Sequence, residues 1–315
     1  MVSTWLNGLV SGTAPAAVAG FIGGGNTGSA SAVVDKFAFS DDSRSTLGSG
    51  LPTARTTFAG MANSGTAGYF AGGYDSSWGV LASINKLTFT GEAWSTLGTG
   101  LSAATYGNAG MANSGTAGYF GGGVVSSGVT TVDKFAFSDD SRTTLSAGLS
   151  AARWYLAAMA NSGTAGYFGG GAVSGNRVTT VDKYAFSDDS RSTLGTGLSS
   201  IREGLAGMAN SGTAGYFGGG GSSSAASPVT TVDKFAFSDD SRSTLGTGLS
   251  TATRLQAAMA NSGTAGYFGG GRTAATVRVT TVDKFAFSDD SRSTLGTGLS
   301  AAALEPVGVA NAGTL

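Results

Sequence analysis

The thirteen residues Met111–Gly123, MANSGTAGYFGGG, return unchanged at Met159, Met208 and Met259, and their first ten letters stand at Met61–Phe70. Gly is abundant, at 54 of 315 residues, but it follows no three-residue period, so a collagen helix is excluded. The period is longer. Paired glycines open at Gly24, Gly72, Gly122, Gly170, Gly219 and Gly270, in steps of 48, 50, 48, 49 and 51 residues. A second phrase follows each pair: VDKFAFSDDSR from Val34, Val132, Val232 and Val282, VDKYAFSDDSR from Val181, and a diverged INKLTFTGEAW from Ile84. A third, such as STLGTGL at Ser192–Leu198, closes the unit. Six units of about 50 residues fill nearly the whole chain, a period typical of propellers and solenoids.

Inside a unit the signals are for strands. AGYFGGG is a short aromatic run stopped by glycines, and VTTVDKFAF is rich in β-branched and aromatic residues. NSGT and SDDS carry the Asn, Asp, Ser and Gly that make tight turns. In the unit holding Gly170-Gly171, the pattern predicts strand a over 154–160, strand b over 166–169, strand c over 179–186 and strand d over 191–194. Phe135 and Phe137 share one side of strand c and are expected to fill the gap to the next unit. The fold class expected is all-β: a six-bladed β-propeller of four-stranded antiparallel blades, spanning 17–315 after a lead segment 1–16. The C-terminal VGVANAGTL matches the strand-a phrase, and AVAGFIGGG near the N-terminus matches strand b onward, so the two ends are expected to share one blade. Ser3–Leu9 resembles a leftover strand d: a remnant of a lost blade, an extra edge strand or an oligomer contact.

These markers resemble the kelch repeat, whose blades carry a diglycine ending strand b, a Tyr late in strand c, and a Trp about seven residues on. Here the diglycine is present in all six units, and the Tyr column holds Phe37, Leu87, Phe135, Tyr184, Phe235 and Phe285. The Trp column holds Arg44, Trp94, Arg142, Arg191, Arg242 and Arg292, so only one unit keeps Trp. A planar guanidinium stacked on a neighbouring ring is the expected substitute.

The chain contains neither Cys nor His, which excludes disulfides, thiolate chemistry, histidine acid–base catalysis and the usual zinc sites. A net charge of −1 gives no electrostatic footprint for nucleic acid, and no apolar run suits membrane insertion. The N-terminus has no basic leader, so no signal peptide is read there. The glycines lack the Lys-Ser/Thr of a phosphate loop. The Asp pairs at 41–42, 139–140, 188–189, 239–240 and 289–290 read as turn caps in preference to calcium ligands. The repeated Asp-Lys, as at Asp133-Lys134, reads as solvated or edge charge. No cofactor and no metal are expected.

Variation among units is uneven. The a–b and c–d turns barely change, whereas the b–c loops and d–a connections differ in every unit. In an antiparallel blade these two variable segments open on one end of the disc. The binding face expected there comprises Arg55, Phe58, Tyr74, Trp78, Tyr106, Arg153, Trp154, Tyr155, Arg202, Arg254 and Arg272, residue types that dominate binding hot spots. Glu203 and Glu305 are the distinctive acids of that face. The functional expectation is a non-enzymatic binding or structural module with a protein or glycan partner. Its uncharged Ser/Thr/Gly/Ala surface is similar to that of adhesin-like propellers in bacteriophage virions, which need no secretion signal. The alternatives are a sialidase- or lyase-like glycan enzyme, which requires acids and Tyr converging near the central channel, and an intracellular kelch-type scaffold.

Overall fold

The computed structural model describes residues 18–222, 227–274 and 276–311. Ser3–Leu9 lies outside them. The described residues are all-β, with six four-stranded antiparallel sheets. Blade 2 is representative, with strand a at Ala59–Asn63, b at Ala67–Ala71, c at Ile84–Thr88 and d at Ala93–Thr96, hydrogen-bonded in that order. Blades 3 to 6 repeat it from strands a at Ala109–Asn113, Ala157–Asn161, Ala206–Asn210 and Ala257–Asn261. Blade 1 joins the two ends of the chain: strand a is Val307–Ala310, strand b is Ala19–Gly23, and they pair from Gly23↔Val307 to Gly20↔Ala310. Strand a packs against strand a of both neighbouring blades around the whole ring, so the chain forms a closed six-bladed β-propeller. The expected fold is the observed one.

The core lies between blades. In blade 3 strands a and b are buried along their length, and strand c buries Val132, Asp133 and Phe135 while Lys134 and Ala136 stay partly exposed. Phe135 and Phe137 share a side, but that side faces the preceding blade: Phe135 joins the cluster around Met61 and Tyr69, and Phe137 stacks on Tyr69 at 5.3 Å. The recurring Met and Gly of the opening phrase form a knob and a recess. A Cβ on Gly118 would meet the sulfur of Met61 at 2.0 Å, and Gly166, Gly215 and Gly266 face Met111, Met159 and Met208 in the same way. Each buried aromatic is worth roughly 1.5–3 kcal/mol, but only when the neighbouring blade is present.

The second Asp of each pair explains the unchanging c–d turn. Asp189 takes the left-handed backbone (φ 59°) and receives the Tyr119 hydroxyl at 2.7 Å and Lys134 Nζ at 2.7 Å, both from the preceding blade. Asp140, Asp240, Asp290 and Asp42 do the same for Tyr69 with Lys86, Tyr167 with Lys183, Tyr216 with Lys234 and Tyr267 with Lys284. The Asp-Lys lysine is therefore a blade-to-blade latch, where the sequence suggested a solvated charge. The first Asp caps its own turn, as Asp139 Oδ1 accepts from Ser141 N–H. At the seam between blades 1 and 2 the latch is reduced to Lys36 on Glu92, because Phe21 replaces the Tyr.

The Trp-column arginines also differ from expectation. Arg44, Arg142, Arg191, Arg242 and Arg292 reach the strand-c Asp of their own blade at 3.4–3.9 Å, and it is the latch lysines that lie over aromatic rings, as Lys134 does over Tyr119 at 5.5 Å. A carboxylate opposite the guanidinium gives the stronger contact. Strand a of blade 4 begins at Ala157, three residues later than Trp154, because Tyr155 turns through φ 52° before the strand. Strands b, c and d of that blade are Ala165–Gly169, Val181–Ala185 and Arg191–Thr193.

Candidate functional site at the channel mouth

The d–a connections and b–c loops share one end of the disc, where they pair through bridges such as Thr56↔Tyr74, Tyr106↔Val124, Trp154↔Ala172 and Arg254↔Arg272. Each connection contributes four residues in sequence to this end. The first is buried, the second makes the bridge, the third turns at positive φ, and the fourth enters the blade.

The first position holds Arg55, Arg153 and Arg202, and the structure removes all three from the expected binding face. They are fully buried, 0% exposed. Arg153 donates to the Gly170 and Thr180 carbonyls at 2.9 Å and to Asp182 at 2.6 Å, so it holds the diglycine end of its own blade. Arg202 repeats this with Gly219, Thr231 and Asp233. Arg55 meets Asn85 in place of Asp, at 2.7 Å, and burial lowers its pKa to about 10. A guanidinium is kept in such a site because it can satisfy several carbonyls and a side-chain oxygen together. Phe58 is also removed from the face: it is buried, 6.2 Å from Phe70 and 6.0 Å from Arg55. Trp154 is half-buried against Gly128, where a Cβ would touch its ring at 2.8 Å.

The third position forms the mouth. Thr57, Gly107, Tyr155, Gly204, Leu255 and Glu305 all have φ between 52° and 66°. Their peptides run head to tail around the opening: Gly107 N–H donates to Thr57, Tyr155 to Gly107, Gly204 to Tyr155, Leu255 to Gly204 and Glu305 to Leu255, at 2.6–2.8 Å. Between Glu305 and Thr57 a carboxylate completes the hoop, with Glu305 Oε2 accepting the Thr57 hydroxyl at 2.5 Å and the Thr56 hydroxyl at 2.7 Å. The hoop residues and the starts of the six strands a line a cavity of about 120 Å³ in the channel.

Above it lies a second cavity of about 220 Å³, lined by Tyr155, Glu203, Arg254, Leu255, Arg272, Leu304 and Glu305. Glu203 is paired with Arg177 at 2.5 Å and Arg254 at 3.7 Å. Burial, reinforced by Glu305 and neighbouring phenols, holds the Tyr155 phenol well above its ordinary range and so protonated. Burial, a hydrogen bond with Tyr106 and the nearby Glu305 do the same to Tyr74. The Tyr155 hydroxyl and the Arg272 guanidinium have no hydrogen-bond or ion-pair partner among the described residues. Beside this cavity runs an aromatic ladder: the Tyr106 and Tyr74 rings are 4.4 Å apart, and Trp78 stands 5.7 Å from Tyr74, edge to face. Trp78 is 65% exposed and sits at φ 62°. Asp75 Oδ1 fixes its turn by accepting from Ser77 N–H and Gly79 N–H, both at 2.8 Å.

Of the expected face residues, Tyr74, Trp78, Tyr106, Tyr155, Arg254 and Arg272 are thus brought together at or beside the mouth. The expected binding residues did not include Leu255 or Leu304, and Glu203 and Glu305, though placed on that face, were not counted among them. Their signal was position: they occupy the second and third places of the variable connections, the places that open onto the channel.

No family model matches the chain, and no curated protein matches it. Among solved structures it is similar to that of YjhT, with 15% identity and a TM-score of 0.68, covering 84% of this chain and 91% of that one. At that identity the likeness establishes the propeller fold alone.

Proposed function

We propose that this protein is a non-enzymatic binding propeller that uses the variable end of the disc to recognise a partner, in the manner of an exposed, adhesin-like virion or surface module. One observation carries the reading. Seven side chains that escape the six-fold repeat, Tyr155, Glu203, Arg254, Leu255, Arg272, Leu304 and Glu305, line one cavity at the channel mouth. All six lysines and eight of the twelve arginines are committed to latches, strand-c carboxylates or buried carbonyls; the other four, Arg177, Arg254, Arg272 and Arg278, all stand on the variable end of blades 4 to 6.

A glycan-processing enzyme is the second reading, and one feature favours it: Tyr155, Glu203 and Glu305 meet near the channel, as such an enzyme requires. Three features favour binding instead. Glu203 is neutralised by two arginines, Glu305 is held by two threonines, and the Tyr155 phenol is kept protonated, the wrong state for a nucleophile.

The test is binding of labelled protein to surface polysaccharides and intact cells, with a turnover assay on the same polysaccharide panel and fractionation of virions and cells to place the chain. Saturable binding that is lost with Arg254→Ala and Arg272→Ala together, without new reducing ends, is the expected outcome. Sustained release of saccharide would give the enzyme reading the field.

A further inference from the structure

The geometry points to a neutral saccharide as the ligand of the mouth, with its terminal residue in the cavity and the following residues along the aromatic ladder. This rests on the reading of the variable end as a binding surface, and it names what that surface takes.

The cavity presents opposite hydrogen-bonding roles side by side. Among the described residues Arg272 has unused donors, Tyr155 an unused hydroxyl, and Glu305 a carboxylate of which Oε2 alone is taken, by Thr56 and Thr57. A ligand that meets all three must donate and accept over a short span, as vicinal hydroxyls do. A simple anion suits Arg272 but is opposed by Glu305 on the same wall; a simple cation suits Glu305 but is opposed by Arg272 and Arg254. At about 220 Å³ the cavity equals roughly seven waters at ~30 Å³ each, room for one small polar ring.

The ladder supplies the other half of carbohydrate recognition. Sugar rings have hydroxylated edges and faces of C–H bonds, and those faces bury well on aromatic rings. Tyr106, Tyr74 and Trp78 form a run of adjoining rings: its inner members are near enough to Glu305 and Tyr155 of the cavity to interact with them electrostatically, and its outer member, Trp78, is 65% exposed. Trp78 keeps a left-handed backbone that bulky residues rarely adopt, and the Asp75 turn holds it there while two-thirds of the residue faces solvent. A costly conformation that presents an apolar ring to water is explained by a ligand that covers it.

The test uses the full chain and a panel of neutral and acidic oligosaccharides from one to four residues, with affinities measured by calorimetry. Arg272→Ala, Tyr155→Phe and Trp78→Ala are compared with Ser162→Ala at the opposite end, and melting curves confirm that each variant is folded. The expected result is neutral-saccharide binding, weakened about tenfold at every length by Arg272→Ala and Tyr155→Phe. Trp78→Ala weakens chains of two or more residues and leaves the single residue unchanged. Failure of every neutral saccharide to bind at millimolar concentration, with saturable protein or peptide binding still removed by Arg272→Ala, overturns this inference and leaves the proposed function standing. Binding removed by Ser162→Ala and untouched by the other three overturns both.

Discussion

The two ends of the disc were written under different constraints. At one end the a–b turns interlock: Ser114 N–H donates to Ser162 Oγ, Ser162 to Ser211 and Ser211 to Ser262, while Asn113 Oδ1 accepts from Gly163 N–H of the next blade. Outward from them the c–d turns latch blade to blade through Asp, Tyr and Lys. The uniform end is joinery: its Ser, Asn, Tyr, Lys and second Asp are matched to partners in a neighbouring unit, while the first Asp caps its own turn. At the other end backbone bridges make the joint, and backbone atoms are indifferent to the side chain above them. So the constancy of SDDS follows from mechanical fit, and its contrast with the variable loops is no sign of selected diversity. The binding role proposed for the variable end rests on what converges there, the mouth cavity and the polar groups that find no partner among the described residues.

This contrast can be broken by substitution. The largest effect is expected at the buried arginines. Arg153→Ala leaves Asp182 buried without its main counter-charge and should cost about 3–5 kcal/mol in denaturant melts. Asp182→Asn should cost clearly less, because Asn85 already serves Arg55 in blade 2. Equal losses would mean that the charge matters more than the hydrogen bonds.

Next comes the latch. Asp189→Ala strips partners from both Tyr119 and Lys134 and should destabilise by about 1–3 kcal/mol. Glu92→Ala should lose less than about 1 kcal/mol, since only Lys36 depends on it and both groups are partly exposed. A comparable loss at both positions would deny the tyrosine a share.

The same tyrosines set an alkaline limit. Burial and their Asp partners hold Tyr69, Tyr119, Tyr167, Tyr216 and Tyr267 protonated beyond the ordinary range. In the unfolded chain these phenols ionise near pH ~10, so above that the folded state binds more protons and stability falls as pH rises. Denaturation midpoints should hold steady to about pH 9 and drop beyond pH ~10, and Tyr119→Phe should flatten the decline by its share. The smallest effect belongs to the variable end: Trp78→Ala and Arg272→Ala should change stability by no more than about 0.5 kcal/mol. A large loss there would make that end structural too.

The fold was legible because its decisive signals are periodic. Diglycines every 48 to 51 residues and a strand-a phrase at the C-terminus specify six blades and their closure before any contact is known. The site was legible only in part. Tyr74, Tyr106, Tyr155, Arg254 and Arg272 followed from loop position and residue type, but so did Arg55, Arg153 and Arg202, which face inward. Their column lies one residue before the bridge residues Thr56, Trp154 and Glu203, and neighbours on an extended chain point opposite ways. Pairing Arg153 with Asp182, 29 residues on, needs the third dimension. Tyr119 and Asp189 are likewise separated by 70 residues, so the Asp-Lys phrase looked solvated when read one unit at a time.

The hoop of peptides at the mouth is made of main-chain atoms, apart from the Glu305 clasp. Its circumference is therefore set by the number of blades, and at one joint alone, Glu305 with Thr56 and Thr57, does it draw on side chains of the connections. Arms of any length or chemistry can be exchanged around such a rim while the aperture, and the spacing of Tyr155, Leu255 and Glu305 on it, stays constant. The propeller thereby separates gauge from reach: a bore fixed by main-chain atoms, surrounded by loops that differ from blade to blade.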